Sequence, residues 1–228
     1  MEIRRTGNIW HSPYNVYKHL GRLAKQVGQE AIEKEGKYKP VREARIAAVT
    51  ALVISQRTKK PAYVQLPPKD PPDAYLMQQS LKKKGQLDIT TLEITSYRAN
   101  QNETLLEQLK RTKTNEILKY SDDYVLVVEL LSKEGIDYEV IRDYLNSINI
   151  RFPVWTLYGK TVDGSTTGEF TIINPNIWQT EINVGEAAFN LKQDGVLDVV
   201  FIKRAGNEDK VRTEPAGNYE LPPWEGLI

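Results

Sequence analysis

The chain has 228 residues, 40% of them hydrophobic and 27% charged, as in an ordinary packed globular protein. It contains no cysteine, which excludes disulfides, thiolate zinc sites and cysteine nucleophiles. The formal net charge is only +1, so any phosphate-binding surface must come from local clustering of cations rather than from an overall basic field.

The sequence predicts neither a signal peptide nor a membrane span. Residues Met1 to Trp10 have no apolar core and no small-residue cleavage pattern. The longest apolar run, Ile46 to Ile54, is interrupted by Thr50 and is too short to cross a bilayer. We therefore expect a cytoplasmic protein without a membrane partner.

Two helices are predicted first along the chain. Ser12 suits an N-cap and Pro13 the first helical position, and apolar residues then recur at helical spacing until Gly36, where we expect the helix to end. The second helix covers residues 41–56, where small alanines would let it lie close to a sheet. Its β-branched residues leave a strand as the alternative.

Strands and helices alternate in the middle of the chain. Three strands are predicted at Ala62 to Leu66, Asp73 to Met77 and Asp88 to Tyr97, followed by a helix to about Thr112 with Leu105 and Leu109 on its buried side. The remaining predicted elements are a strand from Tyr124 to Leu131, a helix capped by Asp137 and a strand from Phe152 to Tyr158. This last strand–helix–strand run is typical of a parallel crossover.

The amino-acid composition changes after Gly159, where Gly, Asn, Thr and Pro become frequent. Only short strands are predicted there, at 170–173, 179–184 and 196–203. We therefore expect an α/β core over residues 1–160 and a β-rich C-terminal elaboration over residues 161–228, packed on that core.

Two acidic residues occupy positions suited to metal chemistry. Asp73 follows the stiff Pro71-Pro72 entry to one strand, and Glu93 lies in the middle of the next. Adjacent strands lie about 4.8 Å apart, so we expect the two carboxylates to reach a common metal. Clustered carboxylates hold Mg²⁺, which can activate water for cleavage of a phosphodiester.

The segments Pro72-Asp73 and Glu93-Ile94-Thr95 resemble the two motifs of the PD-(D/E)XK nuclease superfamily. The resemblance covers roughly residues 12–160. It implies a restriction-endonuclease-like αβββαβ core with a mixed central sheet and N-terminal helices, and cleavage of DNA with Mg²⁺ or Mn²⁺. It also suggests Glu30, on the first predicted helix, as a further metal ligand.

Thr95 stands where the superfamily's motif has a lysine, so the cation that would assist the attacking water must come from elsewhere. Lys110 and Lys113 lie three residues apart, on one side of the helix that follows, and are the candidates. Gln108 or Gln101 could position the water. The DNA backbone is expected to contact Lys82, Lys83 and Lys84 as well as these two lysines.

Less specific interpretations compete with this hypothesis. Asp73 could be a strand-entry residue, Glu93 a surface residue paired with a lysine, and the lysines a solvated helix end. The alternative function is a non-catalytic nucleic-acid-binding or assembly protein that retains a nuclease-like fold. A structural interaction module that binds through its C-terminal third is the third hypothesis, and the sequence also allows a homodimer.

Overall fold

The computed structural model describes residues 9–67, 72–82, 86–99, 103–112, 124–150, 152–162, 165–204 and 211–215. The chain is a mixed α/β protein that divides into two compact units. The first unit combines residues 1–90 with residues 186–228, and the second is the continuous segment 91–185.

The helices and strands follow in chain order. They are β1 (Ile9–His11), α1 (Pro13–Val27), α2 (Gln29–Lys34), α3 (Lys39–Thr58), β2 (Ala62–Gln65), β3 (Ala74–Gln79), β4 (Leu87–Tyr97), α4 (Leu105–Thr112), β5 (Tyr124–Leu130), α5 (Tyr138–Ser147), β6 (Val154–Val162), β7 (Ser165–Ile172), β8 (Trp178–Asn183), α6 (Val184–Gln193), β9 (Val199–Arg204) and β10 (Val211–Pro215). A short 3-10 turn, Gly36–Tyr38, leads into α3.

In the first unit the strands run in the order β10-β9-β1-β2-β3, and every described pairing among them is antiparallel. Helix α3 packs against β2 and β3. Its alanines make this close approach possible, since Ala44, Ala47, Ala48 and Ala51 are completely buried. The N-terminal part of α3 also packs with α1 and α2, where Leu20 and Leu23 lie against Tyr38 and Val41.

In the second unit the order is β4-β5-β6-β7-β8. The β4–β5 and β5–β6 pairs are parallel, and the β6–β7 and β7–β8 pairs are antiparallel, so the sheet is mixed. Leu126, Val128 and Leu130 of β5 face helices α4 and α5 in one apolar core. A strand with such a continuous apolar sequence suits burial in a parallel arrangement.

The structure confirms most of the predicted elements but corrects the first helix. Ser12 caps α1 as predicted, its hydroxyl accepting a 3.2 Å bond from the Asn15 amide. The helix ends at Val27 and not at Gly36, because Gly28 adopts a φ of 87°, a left-handed conformation that breaks the helix. Glu30 therefore lies on the separate helix α2 rather than on the first helix.

The C-terminal third contains a helix where only strands were predicted. Helix α6 follows β8 directly, and its residues Val184, Ala187 and Ala188 are buried at helical spacing. The predicted boundary at residue 160 falls inside β6, which ends at Val162. The parallel β5–β6 crossover through α5, capped by Asp137, is confirmed.

Within the part of the chain that the structure describes, no helix is both long enough and apolar enough to cross a membrane.

Candidate functional site

The first unit holds two buried carboxylates that contact the same lysine. Lys39 and Glu43 lie one turn apart at the start of α3, and Asp73 immediately precedes β3. The Lys39 ammonium is 3.0 Å from Glu43 Oε1 and 3.9 Å from Asp73 Oδ1. We call these three residues the carboxylate cluster.

Burial is uneven within the carboxylate cluster. The side chains of Glu43 and Asp73 are 9% and 7% exposed, whereas that of Lys39 is 56% exposed. A buried carboxylate is costly without a cation or hydrogen bonds, and two close together repel each other. Lys39 supplies a cation to both of them from the solvent side.

The local sequence explains this arrangement. The 3-10 turn and a proline in the first turn of α3 fix where the helix begins, so Lys39 and Glu43 project from the same face of its first turns. Because α3 packs along β3, that face meets the residue that opens the strand.

Glu43 and Lys39 were not predicted to belong to a site. A signal was present, since Glu43 is the only acid in the apolar helix α3 and follows a lysine at i, i+4. Sequence alone did not show that this end of the helix would lie beside Asp73.

Glu93 belongs to the second unit, opposite Leu126 in the β4–β5 register. It is half-buried, and Thr95 lies two residues further along the same face of β4. Burial, and then the charge of Glu93, raises the pKa of Tyr124 on β5. That Glu93 shares a metal with Asp73 stays a prediction.

The predicted catalytic side chains on α4 have partners within the second unit. Gln108 donates a 2.9 Å bond to the Ser96 carbonyl, and the Lys110 ammonium lies 4.8 Å from the centroid of the Tyr144 ring. Thr104 and Glu107 form a capping box at the start of α4: the Glu107 amide donates to the Thr104 hydroxyl, and the Thr104 amide donates to the Glu107 carboxylate. Lys113 lies outside the described residues.

Glu30 and Lys82 have other surroundings than the carboxylate cluster. Glu30 is on the surface of α2, 79% exposed and paired with Lys34 at 2.7 Å. Lys82 is exposed, and its backbone amide donates to the Ser80 hydroxyl. Lys83 and Lys84 lie outside the described residues.

No group of three or more His, Asp or Glu side chains placed to hold a metal ion occurs among the described residues. The carboxylate cluster contains two acidic side chains, those of Glu43 and Asp73. No protein-family model, curated protein or solved structure matches the chain.

Proposed function

We propose that the chain is a divergent magnesium-dependent deoxyribonuclease in which Asp73 and Glu43 bind the metal. The observation that carries this proposal is the pair of buried carboxylates held on one partly exposed lysine. Oxygen ligands of this kind are those that Mg²⁺ and Mn²⁺ prefer. An ammonium between two carboxylates occupies the kind of position that a bound cation takes.

The order of elements supports a restriction-endonuclease-like core in this proposal. From α3 to β5 the chain runs helix, three strands, helix, strand, with β2–β3 antiparallel and β4–β5 parallel. Asp73 immediately precedes the second of these strands and Glu93 lies within the third, an order that agrees with the two motifs.

The exposures of the three side chains indicate different roles for the two acids and the lysine. When bound, the metal would supply charge stabilisation at phosphate and an acidified water. Asp73 and Glu43 are fixed by burial and would hold it. Lys39 is exposed enough to swing outward, where its ammonium could contact the phosphate of the substrate.

Metal titration of the purified chain tests this proposal. Calorimetry with Mg²⁺ and Mn²⁺ should show binding that Asp73→Asn or Glu43→Gln abolishes. Cleavage of single-stranded, double-stranded and branched DNA should fall by about 10²-fold or more in both variants. Glu30→Gln is the matched control, because it removes a carboxylate that is exposed and already paired. Equal losses in the control would contradict the assignment.

Four further variants test the site residues that were predicted from the sequence. Glu93→Gln should weaken metal binding if Glu93 is a metal ligand. Alanine substitutions of Lys110 and Lys113 should each be assayed for cleavage, and Thr95→Lys should restore part of any loss. A wild-type protein that is inactive with both metals, and that Thr95→Lys does not activate, would exclude catalysis.

The second candidate is a non-catalytic nucleic-acid-binding protein. One observation favours it: the Lys110 ammonium, predicted to act on the scissile phosphate, lies over the Tyr144 ring. DNA binding without cleavage under any of these conditions would support this function instead.

A further inference from the structure

We propose that one face of helix α1 binds the sugar–phosphate backbone of nucleic acid. This inference extends the proposed function by naming the surface that holds the substrate. The face consists of Lys18, Gly21, Arg22 and Lys25, and we call it the α1 basic face.

The α1 basic face is opposite the side of α1 that packs into the first unit. At 100° per residue, positions 18, 21, 22 and 25 fall within one narrow arc of the helix. All four residues are exposed, whereas Val16 is buried and Leu20 and Leu23 pack against the start of α3. The cations therefore point into solvent and are not needed for packing.

The charge of this face is not neutralised within the described part of the chain. The fifteen residues of α1 include no acid. Lys18, Arg22 and Lys25 make no ion pair or hydrogen bond with any side chain that the structure describes. Arg22 and Lys18 also contribute, after burial, to lowering the pKa of His19 on the same helix. In a chain with a net charge of +1, such a concentration of positive charge is local.

On and just after the neighbouring helix α2, exposed lysines are paired with acids. On α2, Lys34 pairs with Glu30 at 2.7 Å, and just after that helix Lys37 pairs with Glu35 at 2.9 Å. These exposed lysines belong to the same unit and have acids within reach. They make a natural comparison for the unpaired cations of α1.

Gly21 leaves the middle of the α1 basic face without a side chain. Glycine weakens the middle of a helix, and a packing contact is the usual reason to find one there. At Gly21 an added Cβ would meet nothing within 4 Å, so packing does not explain it. A glycine between cations lets a polymer backbone approach the helix closely.

The spacing of the cations matches a nucleic-acid backbone. From Lys18 to Lys25 the helix rises about 10 Å. One strand of a duplex carries a phosphate about every 3.4 Å along its axis, so this length presents about three phosphates to three cations. The start of α3, which packs against α1, also carries Lys39 and Glu43. A backbone held on α1 would thus lie on the same unit as the carboxylate cluster.

The test measures binding of a fluorescent 20-base-pair duplex by anisotropy, in EDTA, between 50 and 200 mM salt. Lys18→Gln/Arg22→Gln should weaken binding by at least 10-fold at 50 mM salt. It should also reduce the slope of log K against log salt by about 1.8, since each phosphate contact contributes about 0.9. Lys34→Gln/Lys37→Gln removes the same charge and should leave the slope unchanged. Equal effects of the two double variants would overturn the proposal.

Gly21→Gln sharpens the test because it adds bulk without charge. It should weaken duplex binding several-fold while the salt slope of the remaining contacts changes little; unchanged affinity would contradict a close approach of the backbone. Thermal unfolding of every variant checks that the fold is intact.

Two controls separate this inference from its alternatives. EDTA removes catalysis, so a protein that never cleaves DNA but binds through α1 would fail the proposed function and retain this one. Vesicles containing phosphatidylserine test the other common polyanion. Binding to vesicles that depends on Lys18 and Arg22, with no binding to DNA, would overturn the nucleic-acid assignment in favour of a membrane surface.

Discussion

The two units of this chain differ in where they place charge. Glu43 and Asp73, the only buried acids among the described residues, both lie in the first unit. The fully buried polar residues of the second unit carry no charge, such as Asn174, whose side chain bonds the backbone of Phe152 and Val154, although one carboxylate oxygen of the half-buried Glu93 is also buried there. The ion pair between Arg111 and Glu103 in this unit is more exposed than Glu43 and Asp73. Buried charge is costly, so the first unit is where the structure gives most reason to look for function.

This comparison predicts that the second unit depends mainly on apolar volume. Leu126 is completely buried in its core, and Leu126→Ala should cost about 2–5 kcal/mol of unfolding free energy. Urea denaturation at pH 7.5 and at pH 5 would measure it. Leu131→Ala is the control, since Leu131 is 48% exposed and should cost far less. A similar loss in both variants would contradict the assigned core.

The first unit should instead respond to pH. Burial, followed by the charge of His19, lowers the pKa of His11 to about 4 from its usual 6.5. The unfolded chain therefore binds the proton first, and the stability contributed by neutral His11 is lost as the pH falls from about 6.5 to 4. The total is at most about 3.4 kcal/mol, from 2.5 pH units at 1.36 kcal/mol each.

Urea unfolding of the wild type and of His11→Gln across that pH range would measure this contribution. The variant should show a shallower dependence of unfolding free energy on pH. If both proteins lose stability in parallel, His11 is not the group responsible.

The carboxylate cluster should become unstable without its lysine. Lys39→Met leaves Glu43 and Asp73 close together without that cation. We expect a loss of about 1–3 kcal/mol, less than for a fully buried ion pair, because the lysine is more than half exposed. Saturating Mg²⁺ should raise the melting temperature of the variant more than that of the wild type. Equal shifts would indicate that the ion does not bind where the ammonium lies.

The smallest expected effect concerns Gly21. Gly21→Ala should stabilise the protein by about 0.5–1 kcal/mol, since alanine favours the helix and the added Cβ meets no atom within 4 Å. Thermal unfolding would measure the gain. A destabilised variant would mean that the site has a constraint that the static contacts do not show.

Local signals predicted most of the elements but not how they come together. The Ser12-Pro13 cap, the alternating pattern of β4 and the Asp137 cap are short-range features: each cap marked where its helix begins, and the bounds of β4 were predicted to within one residue. Gly28 was overlooked because apolar spacing continues across it, although a positive φ ends the helix there.

The candidate site was less accessible from sequence. The proline entry marked Asp73, but its neighbour Glu43 lies thirty positions earlier, on a helix whose apolar pattern drew attention to packing. Only the docking of α3 on β3 brings the two carboxylates to one lysine. Helix α6 was not predicted because the β-branched residues just before it favour a strand.

The pairing of β1 has a consequence for biosynthesis. This strand lies between β2 and β9, and the Ser12 amide at its end donates a 2.8 Å bond to the Asp198 carbonyl. A ribosome adding about 5–20 residues per second needs roughly 7–27 s to make the 133 residues between β2 and β9, which include the second unit. For that time β1 lacks one of its neighbours and Trp10 lacks its contact with Val200. The continuous second unit can fold meanwhile, and the nascent first unit is the part that needs protection from aggregation.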